Sequence, residues 1–375
     1  MVPNLRFNNN PYKKYNLYEF ATRVTRKNKD NVSNLPLTIS AQYGLVDQVS
    51  FFNKTVASKD MSGYYLLKNG EFAYNKSYSN DYPWGAIKRL DLYNMGCLST
   101  LYICFKSNDN IVNSNYLVHY FESPKWHKQV ADIAGEGARN HGLLNIAVND
   151  FFNTKHAVPT IENQIKIARF LDLIEERIQT QIKIINDYKL LKKYITKSFI
   201  KQKGTSYLLS EIAELGRGRV ISSAEISKQK NPIYPVYSSQ TSNNGVMGYL
   251  DNYDYEGEYI TWTTDGANAG TVYYRNGKFN CTNVCGILKI KNGYDAYYIS
   301  NILNCYTKKY VSTNLANPKL MNNVMANIKI NLPSIERQKY FSNILKAIEY
   351  RVKIEQDIKL NLVKQKVFLL KNMFL

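Results

Sequence analysis

Pro159-Thr160-Ile161-Glu162-Asn163-Gln164 and Pro333-Ser334-Ile335-Glu336-Arg337-Gln338 are near copies of one hexapeptide, 174 positions apart. The likeness runs on at the same offset. Leu171, Ile174-Glu175 and Arg177-Ile178 are answered by Leu345, Ile348-Glu349 and Arg351-Val352. An ungapped match of this length marks a tandem duplication. Each copy also opens a helix. The proline precedes Thr160 or Ser334, which can cap a first turn, and Glu and Gln follow within that turn. Behind the first opening, Ile167, Leu171, Ile174, Ile178, Ile185, Tyr188, Ile195 and Phe199 recur at helical spacing. Behind the second come Phe341, Leu345, Ile348, Val352, Leu362, Leu369 and Met373. No Pro or Gly interrupts either run, and roughly 40 residues at 1.5 Å per residue make a rod about 60 Å long. So narrow an apolar seam needs a partner helix, and the other copy can supply it. Leu171, Ile174, Ile178 and Ile185 are expected to pair with Leu345, Ile348, Val352 and Leu362.

The segments before each helix are duplicated more loosely. Gly70-Glu71-Phe72 and Gly257-Glu258-Tyr259 each begin a stretch rich in Tyr, Thr, Gly and Asn. Runs of β type at Leu101–Phe105, Tyr259–Thr263, Thr271–Tyr274 and Gly286–Ile290 alternate with Gly/Asn turns, which predicts mixed sheets. The expected plan is a globular domain over 1–156, a helical spacer over 157–203, a second domain over 204–330 and a C-terminal helix over 331–375. The class is α/β (α+β), with two long antiparallel coiled-coil helices in a pseudo-twofold tandem repeat.

Composition narrows the function. The 375 residues carry 49 Lys+Arg against 30 Asp+Glu, a formal charge of +19, and 44% are hydrophobic. That is too apolar for a disordered chain, and no stretch reaches the ~20 apolar residues of a membrane span. The start, Met1-Val2-Pro3-Asn4-Leu5-Arg6, lacks the apolar run of a signal peptide. Five cysteines at irregular spacing suit a reducing compartment, so the expected location is the cytoplasm, with no membrane partner. Tyr outnumbers Phe by 31 to 15, a bias toward wet interfaces. A basic, tyrosine-rich chain points to a polyanion, and first to nucleic acid. The helical segments are the most basic per residue.

Catalytic signatures are missing from the sequence. There is no G-x-x-x-x-G-K-[ST] phosphate loop and no complete G-x-G-x-x-G; Gly216-Arg217-Gly218 stops short of the third glycine. Asn231-Pro232-Ile233-Tyr234 has Ile where an adenine-methyltransferase N-P-P-Y has its second proline. Cys281 and Cys285 have no second Cys/His pair at zinc-site spacing, and the four histidines form no H-E-x-x-H. The expectation is a chain without metal, cofactor or chemistry of its own.

Taken together, the chain resembles the specificity subunit of type I restriction-modification systems. The resemblance is carried by the twin helix openings at 159–164 and 333–338, by Val2-Pro3-Asn4-Leu5-Arg6-Phe7, by Ala57-Ser58 with Asp60-Met61-Ser62-Gly63-Tyr64, and by Gly137-Ala138-Arg139. It implies that each globular domain is a target recognition domain reading one half of a bipartite site in double-stranded DNA. It also implies that the helices set the spacing and dock two modification subunits, which methylate adenine with S-adenosylmethionine. A restriction subunit would add ATP-driven translocation and cleavage. Recognition domains vary too much for the resemblance to assign base contacts, so candidates come from polar, basic, glycine-flanked loops. In the first domain these are Asn75, Lys76, Lys88, Arg89, Arg139, Asn140 and His141. In the second they are Arg217, Arg219, Ser239, Gln240, Thr263, Thr264, Asn268, Asn317 and Lys319. The competing reading is a basic coiled-coil adaptor that binds protein and has no sequence-specific contact with DNA.

Overall fold

Two uninterrupted helices, Ile161–Ile200 and Ile335–Asn372, follow the twin hexapeptides. They were located in a computed structural model that describes residues 12–40, 42–79, 82–135, 142–312 and 317–374. The chain divides into two compact units, Met1–Gln181 with Ile358–Leu375, and Ile182–Asp357, so each unit owns part of both long helices. In the first unit Leu171, Ile174, Ile178 and Leu362 are buried, and Lys366 donates to Glu175 Oε2 at 2.8 Å. In the second unit Ile185, Leu345 and Ile348 are buried and Val352 is half-buried. There Phe199 stacks on Phe341 with ring centroids 3.8 Å apart, and Lys192 pairs with Glu349. Numbering rises on one helix as it falls on the other, so the pair is antiparallel.

The hexapeptide glutamine explains why this motif is duplicated. Gln164 is buried, and its Nε2 donates to Pro159 O at 2.8 Å and Ile111 O at 3.2 Å. Its Oε1 accepts from Asn113 N at 2.7 Å. Asn113 is in turn the N-cap of helix Ser114–Glu122. In the second unit Gln338 Nε2 donates to Pro333 O at 2.8 Å, and its Oε1 accepts from Asp295 N at 3.1 Å. Asp295 caps helix Ala296–Tyr306. One amide thus closes its own helix start and latches it to the start of a neighbouring helix. A Glu could accept there but, ionised, could not donate.

Each unit contains a two-stranded ribbon that brackets its central sheet in sequence. Lys13–Asn16 pairs antiparallel with Lys155–Val158, and Thr205–Leu208 with Lys329–Leu332. A one-turn helix follows the opening strand in both, Leu17–Phe20 and Leu209–Ile212. Glu19 Oε2 accepts from Asn16 N at 2.6 Å and Glu211 Oε2 from Leu208 N at 2.7 Å, the same short cap twice.

The central sheets share their strand order. In the first unit it is Ala21–Arg23, Ile103–Ser107, Phe72–Asn75, Ala86–Arg89. In the second it is Ala213–Arg217, Cys285–Ile290, Tyr255–Thr263, Val272–Cys281, and two strands more, Tyr234–Tyr237 and Val246–Leu250. Phe105 faces both Arg23 and Phe72, and Leu288 faces both Leu215 and Ile260. Phe72 therefore matches Ile260. The sequence reading, which aligned Phe72 with Tyr259, finds the right strand one residue out of register. Phe72, Phe105, Phe121, Tyr74, Phe151 and Trp126 form an aromatic core in the first unit. Trp262, Leu288, Tyr298, Ile302 and Leu345 lie in the core of the second.

Candidate nucleic-acid interface

In the second unit the loop after strand Tyr255–Thr263 gathers candidates from several segments. Arg217, at the end of its strand, donates Nε to Asn283 O and reaches Thr264 Oγ1 and Asp265 Oδ2 at 3.4 Å. Lys319 approaches the other oxygen of Asp265 at 3.7 Å. Asn268 and Asn317 are exposed beside this group. One carboxylate lies between two cations, so the cluster keeps a net positive charge with both cations about two-fifths exposed. Arg219 stands apart, bonded to Asp254 at 3.0 Å and Glu225 at 2.6 Å. Ser239 and Gln240 are half-buried at the foot of another loop, where Gln240 Nε2 donates to Val246 O.

Thr263 and Thr264 adjoin this cluster but are buried. They are 1% and 0% exposed, and Thr264 Oγ1 donates to Val284 O at 2.9 Å. Neither side chain offers a solvent face to a duplex. The polar Thr-Thr pair that reads as a loop is the buried end of the central strand.

Among the described residues, the first unit pairs its candidate cations Lys88 and Arg89 internally. Lys88 is ion-paired with Glu122, and only 12% of its side chain is exposed. Arg89 bonds Asp91 at 2.6 Å, Ser114 Oγ at 2.8 Å and Asn115 Oδ1 at 2.7 Å. Both line a cavity of about 640 Å³ with His119, Asp172, Glu175 and Lys366. His119 Nε2 lies 2.8 Å from Asp172 Oδ1, and burial pushes the imidazole below its ordinary value. Asn75 Oδ1 accepts from Ser77 N at 3.0 Å, and Lys76 reaches Ile146 O at 3.5 Å. Arg139, Asn140 and His141 lie outside the described residues.

Sequence reasoning missed Arg275. Its guanidinium lies between the rings of Tyr237 and Tyr273, 3.5 and 4.4 Å from their centroids. It is bonded to Thr261 Oγ1 and Asn244 O, not to a carboxylate. Nothing local in Tyr273-Tyr274-Arg275-Asn276 distinguishes it from a surface arginine. Cys281 and Cys285 are buried free thiols. Among the described residues no group of three His, Cys, Asp or Glu could hold a metal, and no helix is long and apolar enough to cross a membrane.

This basic, duplicated scaffold has counterparts among known proteins. Residues 203–365 match the family described as the type I restriction modification DNA specificity domain. A type I specificity subunit of Mycoplasma pneumoniae, S.MpnORF201P, is 39% identical over 196 residues, covering 51% of this chain and 81% of that protein. The chain belongs to the type I specificity subunit family. The specificity subunit of the M. pneumoniae type I restriction enzyme MpnII is 42% identical to it over 146 residues, 38% of this chain and 43% of that one. The crystal structure of the Mycoplasma genitalium type I restriction-modification S subunit superposes with a TM-score of 0.60 at 16% identity, covering 100% and 99% of the two chains. A structure from a study of type I complex assembly gives 0.61 at 15% identity, with 96% of each chain covered. At those identities the likeness concerns the fold. DNA target recognition is this specificity subunit's role, and the protein-only adaptor is not favoured.

Proposed function

We propose that this specificity subunit reads a bipartite DNA site, one half with each unit, and is itself non-catalytic. The observation that carries this is the repeated scaffold with unequal dressing. Ribbon, one-turn helix, four-strand order and glutamine latch recur in both units, while the second adds two strands at the sheet's edge. Equal scaffolds with different surfaces suit two different short sequences. Bases would be read by Asn, Gln, Arg and Lys side chains, with other cations on phosphates. On this reading the long helices fix the spacing between half-sites and dock two modification subunits. Methyl transfer from S-adenosylmethionine and ATP-driven restriction belong to those partners, and the assembly works in the cytoplasm. The M. pneumoniae relatives, named as subunits of type I enzymes, support the partnership.

Exchange of residues 204–330 for the same segment of a relative tests the proposal. Sequencing of methylated adenines across the genome should show one half-site changed and the other kept. A change in both halves would mean that the units read jointly. Methyl transfer from labelled S-adenosylmethionine by the isolated chain would overturn the non-catalytic part.

A further inference from the structure

We propose that the 238–245 loop of the second unit reads one or two A·T base pairs through the side-chain amides of Asn243 and Asn244, with Arg275 as the residue that positions the loop. The inference rests on the half-site reading above and deepens it. The loop joins Tyr234–Tyr237 to Val246–Leu250, the two strands that the first unit's four-stranded sheet does not have.

Its backbone is unusual. Asn243, Asn244 and Gly245 have φ of 47°, 54° and 84°, three consecutive left-handed residues. Single asparagines and glycines visit that region, but a run of three is costly and persists only where its surroundings impose it. Those surroundings are visible. Arg275 Nη2 donates to Asn244 O at 3.0 Å, and Ser238 N donates to Gly245 O at 2.9 Å. A Cβ on Gly245 would stand 3.1 Å from Arg275 Nη2 and 3.3 Å from Gln240 O. Tyr237, on which the guanidinium stacks, is the residue that enters the loop. Arg275 is 4% exposed, so the anchor is internal and rigid.

The outer side of the loop has the opposite character. Residues 241–244 are exposed. Neither Asn243 nor Asn244 has a side-chain hydrogen-bond partner among the described residues. Each amide offers a donor and an acceptor in one plane, the pattern that matches N6 and N7 of adenine in the major groove. Beneath them lies a buried cation bonded to no carboxylate, which raises the local potential toward a phosphate-bearing partner. A rigid base, free planar amides and a positive field are what base readout needs.

The test uses the whole complex of this chain with its modification subunits, presented with a library of random duplexes. Asn243→Gly with Asn244→Gly removes both amides while suiting the left-handed backbone, so folding is retained. The double variant should lose discrimination roughly 5- to 100-fold at one or two A·T pairs of a single half-site. That half-site should be the one that follows residues 204–330 in the exchange experiment. Arg275→Lys keeps the charge but cannot stack and bond in the same way. It should relax the same base pairs, and add no further loss to the double variant. An unchanged selected sequence in the double variant would overturn the inference. Relaxation by Arg275→Lys at other base pairs would reduce Arg275 to a core residue. If the unaltered complex selected no bipartite sequence, the half-site reading itself would fail first, and the two failures are distinguishable.

Discussion

Gln164 offers the sharpest test of how the scaffold is held. Its amide makes three hydrogen bonds at 2.7, 2.8 and 3.2 Å from a buried position. Replacement by Met keeps the side-chain volume and leaves Asn113 N–H with no partner at the entrance of helix Ser114–Glu122. A buried unsatisfied donor costs about 1–3 kcal/mol, and two weakened carbonyls add to it, so Gln164→Met should destabilise the first unit by about 2–3 kcal/mol. Gln164→Ala adds a small cavity and should cost about 1 kcal/mol more. The twin Gln338 makes two such bonds, one of them at 3.1 Å, so Gln338→Met should cost less. Hydrogen exchange followed by mass spectrometry reads both sites in one chain. Protection at 113–117 should drop in the Gln164 variants and at 295–299 in the Gln338 variant. A loss below about 0.5 kcal/mol for Gln164→Met would show that the amide is not a latch, because ordinary surface substitutions fall within that range.

Three further outcomes follow from the same structure. Burial pushes His156 from 6.5 to about 4, so below pH 6.5 the unfolded chain takes up a proton that the folded site refuses. Stability of the first unit should therefore fall with acidification, by about 2 kcal/mol at pH 5 from this residue, and denaturant titrations of His156→Gln repeated across this pH range should show stability depending less steeply on pH. Gly286 faces Trp262 so closely that a Cβ would lie 2.1 Å from the ring, and Gly286→Ala should destabilise the second unit by about 3 kcal/mol, measured by urea unfolding. Four residues added between Thr180 and Lys201 lengthen that helix by about 6 Å and nearly keep its apolar face, whereas two rotate it by about 200°. Methylome sequencing should find a longer spacer in the first variant and no methylated bipartite site in the second.

The helices were legible because their signals are local and repeated. A hexapeptide and a seam of Ile and Leu need no knowledge of what they touch. The ribbon and cap at Asn16-Leu17-Tyr18-Glu19-Phe20-Ala21 and Leu208-Leu209-Ser210-Glu211-Ile212-Ala213 carry no such signal, for the opposite reason. They lie 192 positions apart, because the intervening loops differ in length, and share only Leu, Glu and Ala. The one-residue offset between Tyr259 and Ile260 exists because the Gly-Glu pairs at 70–71 and 257–258 do not mark equivalent positions, and strand pairing alone fixes register. Candidate contacts were least legible. Lys88 and Arg89 read as basic loop residues, but they end strand Ala86–Arg89 with Glu122 and Asp91 folded against them, and neither partner is a helix-spaced neighbour. Arg275 gave no signal because its role comes from Tyr237, thirty-eight positions earlier.

The ribbons have a consequence for inheritance. Lys13 lies opposite Val158, and Thr205 opposite Leu332, so the two strands that bracket each globular part are neighbours across one ladder. The segment between the two long helices therefore leaves Ile161–Ile200 and rejoins Ile335–Asn372 through a single doorway, the ribbon Thr205–Leu208 with Lys329–Leu332. Two genes that encode the same doorway can exchange everything behind it in one pair of crossovers, and the recombinant chain meets its old helices at the old angle. The new reader need only close its own ribbon. A bacterial lineage with several such genes would carry a combinatorial stock of specificities, in which shuffling two halves multiplies the sites available instead of adding to them.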